Sequence, residues 1–218
     1  MKKISERLST TIWNIEVSAS GKLLGVELRD EKNKQVLFSI YHLEKKQWLW
    51  ENVTFEESWW INLLSINNEH IYLNYFTDEE NPQKKKIIVV DIDRLEVIDE
   101  LYEFNEAEKN KLLELPFHYV EDSVNFDNVA DYIKQHCGDK IVKAVDYLQT
   151  PSSIAISYYL YNKEKLANFL LIVDQEGMEL SKEVIGDGLE KVGMHTFFLV
   201  KNDLITIKDK VELKIYML

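Results

Sequence analysis

Glu56-Glu57-Ser58-Trp59-Trp60-Ile61-Asn62-Leu63-Leu64-Ser65-Ile66, with its continuation through 70–76 to Ile87-Ile88-Val89-Val90-Asp91, decides how the chain is read. It holds three apolar, extended segments separated by polar turns. Asn67-Asn68-Glu69 has tight-turn composition, because an Asn side chain hydrogen-bonds the backbone two residues on. The segments themselves are rich in Ile, Leu, Val, Tyr and Trp, which suit a pleated, half-buried strand.

The same cadence recurs on both sides. Upstream, Ile12-Trp13-Asn14-Ile15-Glu16-Val17 alternates apolar with polar, Ser18-Ala19-Ser20-Gly21 turns, and strands follow at 23–28, 35–41 and from Trp48-Leu49-Trp50. Strand alternation places Trp48 and Trp50 on one face. Downstream, strands are expected at 141–148, 153–161, 166–173 and 178–185, then at 191–200, 204–208 and 211–218, with Gly186-Asp187-Gly188 as a turn between units. Leu23 and Ile71, and again Ile154 and Leu204, are apolar anchors roughly 50 residues apart. A period of about 40–50 residues with four strands per unit is that of propeller blades.

The expected fold is therefore a mainly β, single domain of four propeller-like antiparallel β units, at about 12–55, 58–103, 141–185 and 191–218, with a short helical insertion at about 105–139. Within the insertion, 105–115 has helix-forming composition ended by Pro116. A second helix is capped by Asp127, carries Val129, Ala130, Ile133 and Lys134 at helical spacing, and stops at Gly138. The last unit lacks a fourth strand. A segment near 4–8 is expected to supply it, which removes an open sheet edge. The alternative is a pair of β-meander or sandwich lobes with a helical spacer.

Composition narrows the function classes. With 45% hydrophobic and 29% charged residues, the chain is too apolar for disorder. The net charge is −12, and the only arginines are Arg7, Arg29 and Arg94, so the basic stripe that nucleic acid or an anionic membrane requires is missing. The N-terminal residues lack a signal peptide's apolar run, and no stretch approaches about 18 apolar residues. The expected compartment is the cytoplasm. The single cysteine, Cys137, excludes an internal disulfide and Cys-pair metal knuckles.

Residues 51–60 (Glu51-Asn52-Val53-Thr54-Phe55-Glu56-Glu57-Ser58-Trp59-Trp60), Val36-Leu37-Phe38-Ser39-Ile40, Asn81-Pro82 and Ile87-Ile88-Val89-Val90-Asp91 resemble an uncharacterised bacterial family, domain of unknown function 4905. The similarity covers about the first hundred residues. A glycine expected before Ile87 is Lys86 here, so that turn must be made differently. The resemblance implies no activity, cofactor or functional residue.

The candidate ligand-binding residues are Glu56, Glu57, Trp59 and Trp60. An outward Trp ring can stack on a ligand or anchor a partner, with the carboxylates beside it as acceptors. Core packing on both faces of a buried strand is the competing explanation. Asp91 and Asp93 form a D-x-D pair that could hold a divalent metal or act as acid and base. Such a pair is weak evidence in an acidic chain, and a turn-forming role for Asp93 is the simpler reading. None of His42, His70, His118, His136 and His195 has the i, i+4 spacing of a helical zinc site. His136 and Cys137 are chain neighbours, which rarely make a nucleophile–base pair. Phosphate loops and nucleophile elbows are missing.

No catalytic residue, metal or cofactor is expected. The leading expectation is a non-catalytic binding or scaffold module for a protein or small-molecule ligand, without nucleic acid or membrane. The alternatives are a carbohydrate-active or hydrolytic enzyme using carboxylates near Trp59 and Trp60, and a homo-oligomeric structural protein.

Overall fold

The computed structural model describes residues 1–55, 59–78, 80–81, 83–99 and 112–218. They form two compact units, one of Leu8–Leu113 and one of Met1–Arg7 with Glu114–Leu218. The chain is mainly β. In order, β1 (Lys2–Arg7), β2 (Thr11–Val17), β3 (Leu23–Asp30), β4 (Gln35–His42), β5 (Gln47–Val53), β6 (Ile61–Ile66), β7 (His70–Phe76), β8 (Lys85–Asp91), β9 (Glu96–Asp99), β10 (Leu113–Glu114) and β11 (Phe117–Val120) precede helix α1 (Val124–Cys137). After it come β12 (Val142–Gln149), β13 (Ser153–Asn162), β14 (Lys165–Asp174), β15 (Glu179–Leu189), β16 (Phe197–Val200), β17 (Asp203–Lys208) and β18 (Glu212–Met217). Among the described residues, no helix is long and apolar enough to cross a membrane.

Four propeller-like antiparallel sheets result, in the orders β2-β3-β4-β5, β6-β7-β8-β9, β11-β12-β13-β14-β15 and β1-β18-β17-β16-β10. Their hairpins are closed by the chemistry that the Asn-rich turn predicted. Asp30, Asn67, Asp91 and Asp174 each accept two backbone N–H bonds from residues two to four positions on, and the Thr150 hydroxyl does the same. Asp91, not Asp93, therefore makes the D-x-D turn. The N-terminal strand completes the last sheet as expected: β1 pairs with β18 in register, Ile4 opposite Ile215.

In the unit Leu8–Leu113, Leu23, Phe38, Ile40, Trp50, Ile61, Leu63, Ile71 and Val90 share one core. In the other unit, β13 and β14 bury both faces. Ala155, Leu170 and Ile172 pack with Phe197, Leu204 and Tyr216, while Ile156, Leu171 and Val173 pack under Phe126 and Ile133 of α1. Burial on both faces explains why these strands read as continuous apolar runs instead of alternating ones.

Several boundaries differ from the sequence expectation. Residues 105–111 of the expected first helix lie outside the described residues, and its end is the strand β10. Within 112–139, β10 and β11 accompany the one helix, so the insertion is not purely helical. Helix α1 is an excursion between paired strands β11 and β12 and starts a turn before Asp127. Ser123 is its cap, accepting from Phe126 N at 3.3 Å, and Gly138 ends it in the left-handed conformation at φ 74°. Gly186-Asp187-Gly188 is not a turn between units. It lies inside β15, where Gly188 at φ 66° carries an irregularity in the pairing with β14. Trp48 and Trp50 do not share a face. They pair with the successive residues Tyr41 and Ile40, because the register shifts at Leu49, and a bulge of one residue inverts strand alternation.

Candidate functional site

The expected ligand-binding residues are only partly within the described residues. Glu56 and Glu57 lie outside them. Trp59 and Trp60 precede β6. Trp59 packs on the core, while Trp60 is 36% exposed and its carbonyl accepts from Phe76 N at 2.8 Å. The Trp59 ring faces two cations, the Arg29 guanidinium carbon at 5.0 Å from its centroid and Lys34 Nζ at 4.6 Å. Arg29 also lies over Trp13, the bulged residue of β2, at 5.3 Å.

These contacts belong to a structural device that the sequence reading missed. β6 is the edge of its sheet, and side chains of the first sheet cover that edge. Arg29 donates to the carbonyls of Trp59 and Ile61 at 3.3 and 3.2 Å, Asn14 donates to Leu63 O at 3.3 Å, and Leu63 N donates to Glu27 Oε2 at 2.8 Å. Glu27 is fully buried between Val26 and Leu28, and Arg29 pairs with its other oxygen at 2.8 Å. Burial raises the Glu27 pKa, partly countered by the Leu63 N–H and by Arg29. A polar edge that would otherwise be unsatisfied is thereby paired.

The other unit has a buried carboxylate in a related role, at the segment before the interior strand β16. Buried Asp146 of β12 accepts from Thr196 N and Oγ1, just before β16, at 2.7 and 2.8 Å, and its other oxygen lies 2.7 Å from His118 Nδ1. The residue types invite comparison with a catalytic triad, but the order is wrong. The Thr196 hydroxyl meets the carboxylate and not the imidazole, so the histidine is not placed as its base. Fully buried Ser157 donates to Asn168 Oδ1 at 2.8 Å.

A hollow of about 320 Å³ lies between α1 and strands β11–β13 in the unit that contains Glu114–Leu218. Asn125, Asn128, Val129 and Tyr132 form its helical wall. These positions are i, i+3, i+4 and i+7, one face of a helix that starts at Ser123. Starting the helix at Asp127 hid that face. Tyr119, Tyr147, Ile154 and Ile156 form the sheet wall, with Tyr147 directly opposite Ile156. Tyr147 Oη donates to Gln149 Oε1 at 3.2 Å, and Tyr119 stacks on Phe117. The buried Tyr132 Oη has no hydrogen-bond partner among the described residues. Burial, then the proximity of Cys137, Asp174 and Tyr147, pushes the Tyr132 phenol up, so the hydroxyl stays a donor at neutral pH. The walls carry aromatic faces, two amides and apolar surface, and among the described residues no charged side chain lines them.

The Tyr132 ring continues past the hollow to stack on His136 at 5.5 Å and 10°. Cys137 follows, and burial pushes its thiol up, which opposes a nucleophilic thiolate. Asp139 accepts from Tyr158 Oη at 2.7 Å and Lys182 Nζ at 2.8 Å. Burial works against the Asp139 charge, but these two donors outweigh it and hold its pKa below the usual value.

Comparison with known proteins adds little beyond the family. No curated protein matches the chain. Among solved structures, the β-propeller domain of the trilobed protease from Pyrococcus furiosus is similar at 15% identity, covering 95% of this chain and 55% of that one with a TM-score of 0.32. A eukaryotic initiation factor is similar at 14% identity, covering 94% and 51% with a TM-score of 0.31. The chain thus spans about half the length of either. Residues 17–98 match the model of the family described as Domain of unknown function (DUF4905), so the first hundred residues resemble that family as their motifs predicted.

Proposed function

We propose that this chain is a binding module whose ligand, a neutral small molecule with an apolar face and hydrogen-bonding groups, occupies the hollow beneath α1. The lining of the hollow, three tyrosines and two asparagine amides among apolar side chains, carries this reading. The volume is at the lower end for small-molecule sites, which are mostly apolar with a few placed polar groups. Three tyrosine faces suit stacking on a sugar ring or a planar amide, and Asn125 and Asn128 each supply donors and an acceptor.

The test is thermal shift and saturation-transfer NMR with neutral oligosaccharides and, separately, capped dipeptides. One class should bind saturably and raise the melting temperature, and Asn128→Ala, which removes an amide from the helical wall, should weaken that binding about tenfold. Binding that is unchanged in Asn128→Ala, or found in neither class, would sink the proposal.

A further inference from the structure

The C-terminal end of α1 brings together three side chains of metal-ligating type. His136 and Cys137 occupy its last turn, and Glu179 opens β15. One imidazole nitrogen, the Cys137 sulfur and one Glu179 carboxylate oxygen all lie within 4.8 Å of one another. Tetrahedral zinc, with bonds of roughly 2.0–2.3 Å, holds its ligand atoms about 3.5 Å apart. Closing the difference takes about an ångström of side-chain rotation. His136 and Glu179 are both exposed, so rotamer changes can supply it without moving the core.

We propose that His136, Cys137 and Glu179 form a three-ligand site for a borderline-soft divalent ion of the zinc type, with a fourth position open to water. Thiolate, imidazole and carboxylate together suit zinc, whereas magnesium and calcium favour oxygen ligands alone. The surroundings fit the role. Tyr132 stacks on the His136 ring and orients it. Lys182 and Tyr158 are both tied in place by Asp139 beside Cys137, so a metal-bound thiolate would have the Lys182 ammonium as a donor nearby. The Asp139 carboxylate offsets the Lys182 charge that would otherwise repel a cation. The three ligands lie outside the hollow lining, which the site touches only through Tyr132, and metal binding does not depend on a ligand there.

The experiment titrates the reduced full-length protein with Co²⁺ and then displaces it with Zn²⁺. One equivalent of Co²⁺ should produce thiolate-to-cobalt charge-transfer absorption in the near ultraviolet and tetrahedral visible bands, and Zn²⁺ should abolish both. Cys137→Ser should remove the charge-transfer band. His136→Ala and Glu179→Gln, both at exposed positions, should each raise the Co²⁺ dissociation constant at least tenfold. The proposal is overturned if no charge-transfer band appears at millimolar Co²⁺, if cobalt binds without one through surface carboxylates, or if the affinity is unchanged in both exposed variants.

Discussion

Lys3, in the N-terminal strand, donates to Glu183 Oε1 across 2.6 Å, although 180 positions separate them in the chain. The same carboxylate accepts from Lys214 and Tyr216 of β18. Glu183 thus grips the edge strand β1 and its neighbour β18 in the last sheet.

Burial disfavours the Glu183 charge, but hydrogen bonds from Lys214, Lys3 and Tyr216 outweigh it and lower the pKa from 4.5 to about 2. A folded-state pKa below the unfolded one gives stability that is present above pH 4.5 and lost as pH falls towards 2. Glu183 is partly solvated, so its contribution is about 1–2 kcal/mol after screening. Acid titration of the melting temperature should show a steeper fall between pH 5 and 2 in the wild type than in Glu183→Gln. Parallel curves would count against the clasp.

Removing residues 1–7 uncovers β18, whose Leu213, Ile215 and Tyr216 are fully buried in the intact sheet. The expected result is a melting temperature lower by about 5 °C or more, with concentration-dependent association through the exposed edge. Differential scanning calorimetry and light scattering check both. An unchanged midpoint would mean that β1 contributes no stability to its sheet.

Arg29→Ala leaves Glu27 buried without its cation and leaves the carbonyls of Trp59 and Ile61 without their donor. The cost should be about 3 kcal/mol in denaturant unfolding, the range for breaking a buried pair from one side. Combining it with Glu27→Gln should cost less than the sum of the two single changes. Strict additivity in this double-mutant cycle would show that the pair is not coupled.

The corrected start of α1 is checked by two substitutions. Ser123→Ala should cost about 1 kcal/mol as the loss of an N-cap, whereas Asp127→Ala should cost only a few tenths, as the loss of a first-turn carboxylate. The reverse ranking in chemical denaturation would return the cap to Asp127.

The β units were legible because strands and hairpins are local. Alternation, Ile/Val/Tyr content and Asx-type turns at Asp30, Asn67, Asp91 and Asp174 act within a few residues, and sequence order carries them directly. The hollow beneath α1 was much less legible. Glu56, Glu57, Trp59 and Trp60 stand out in sequence as concentrated acid and aromatic residues. In the structure Trp59 is core packing, held beneath Arg29 and Lys34. Asn125, Asn128 and Tyr132 gave no such signal, and a helix start misplaced by one turn kept them off a common face.

By itself, the sequence determined that this is a mainly β chain of repeated antiparallel units with an N-terminal strand available to the last one. Only the tertiary structure decided which edges meet. It set Glu27 and Arg29 against β6, Asp146 against Thr196, and Tyr119 and Tyr147 opposite Tyr132. The physical reason is that strand formation depends on neighbours along the chain. Edge covering and hollows depend instead on contacts tens of residues apart, and a single bulge, as at Leu49, reverses which face a side chain presents.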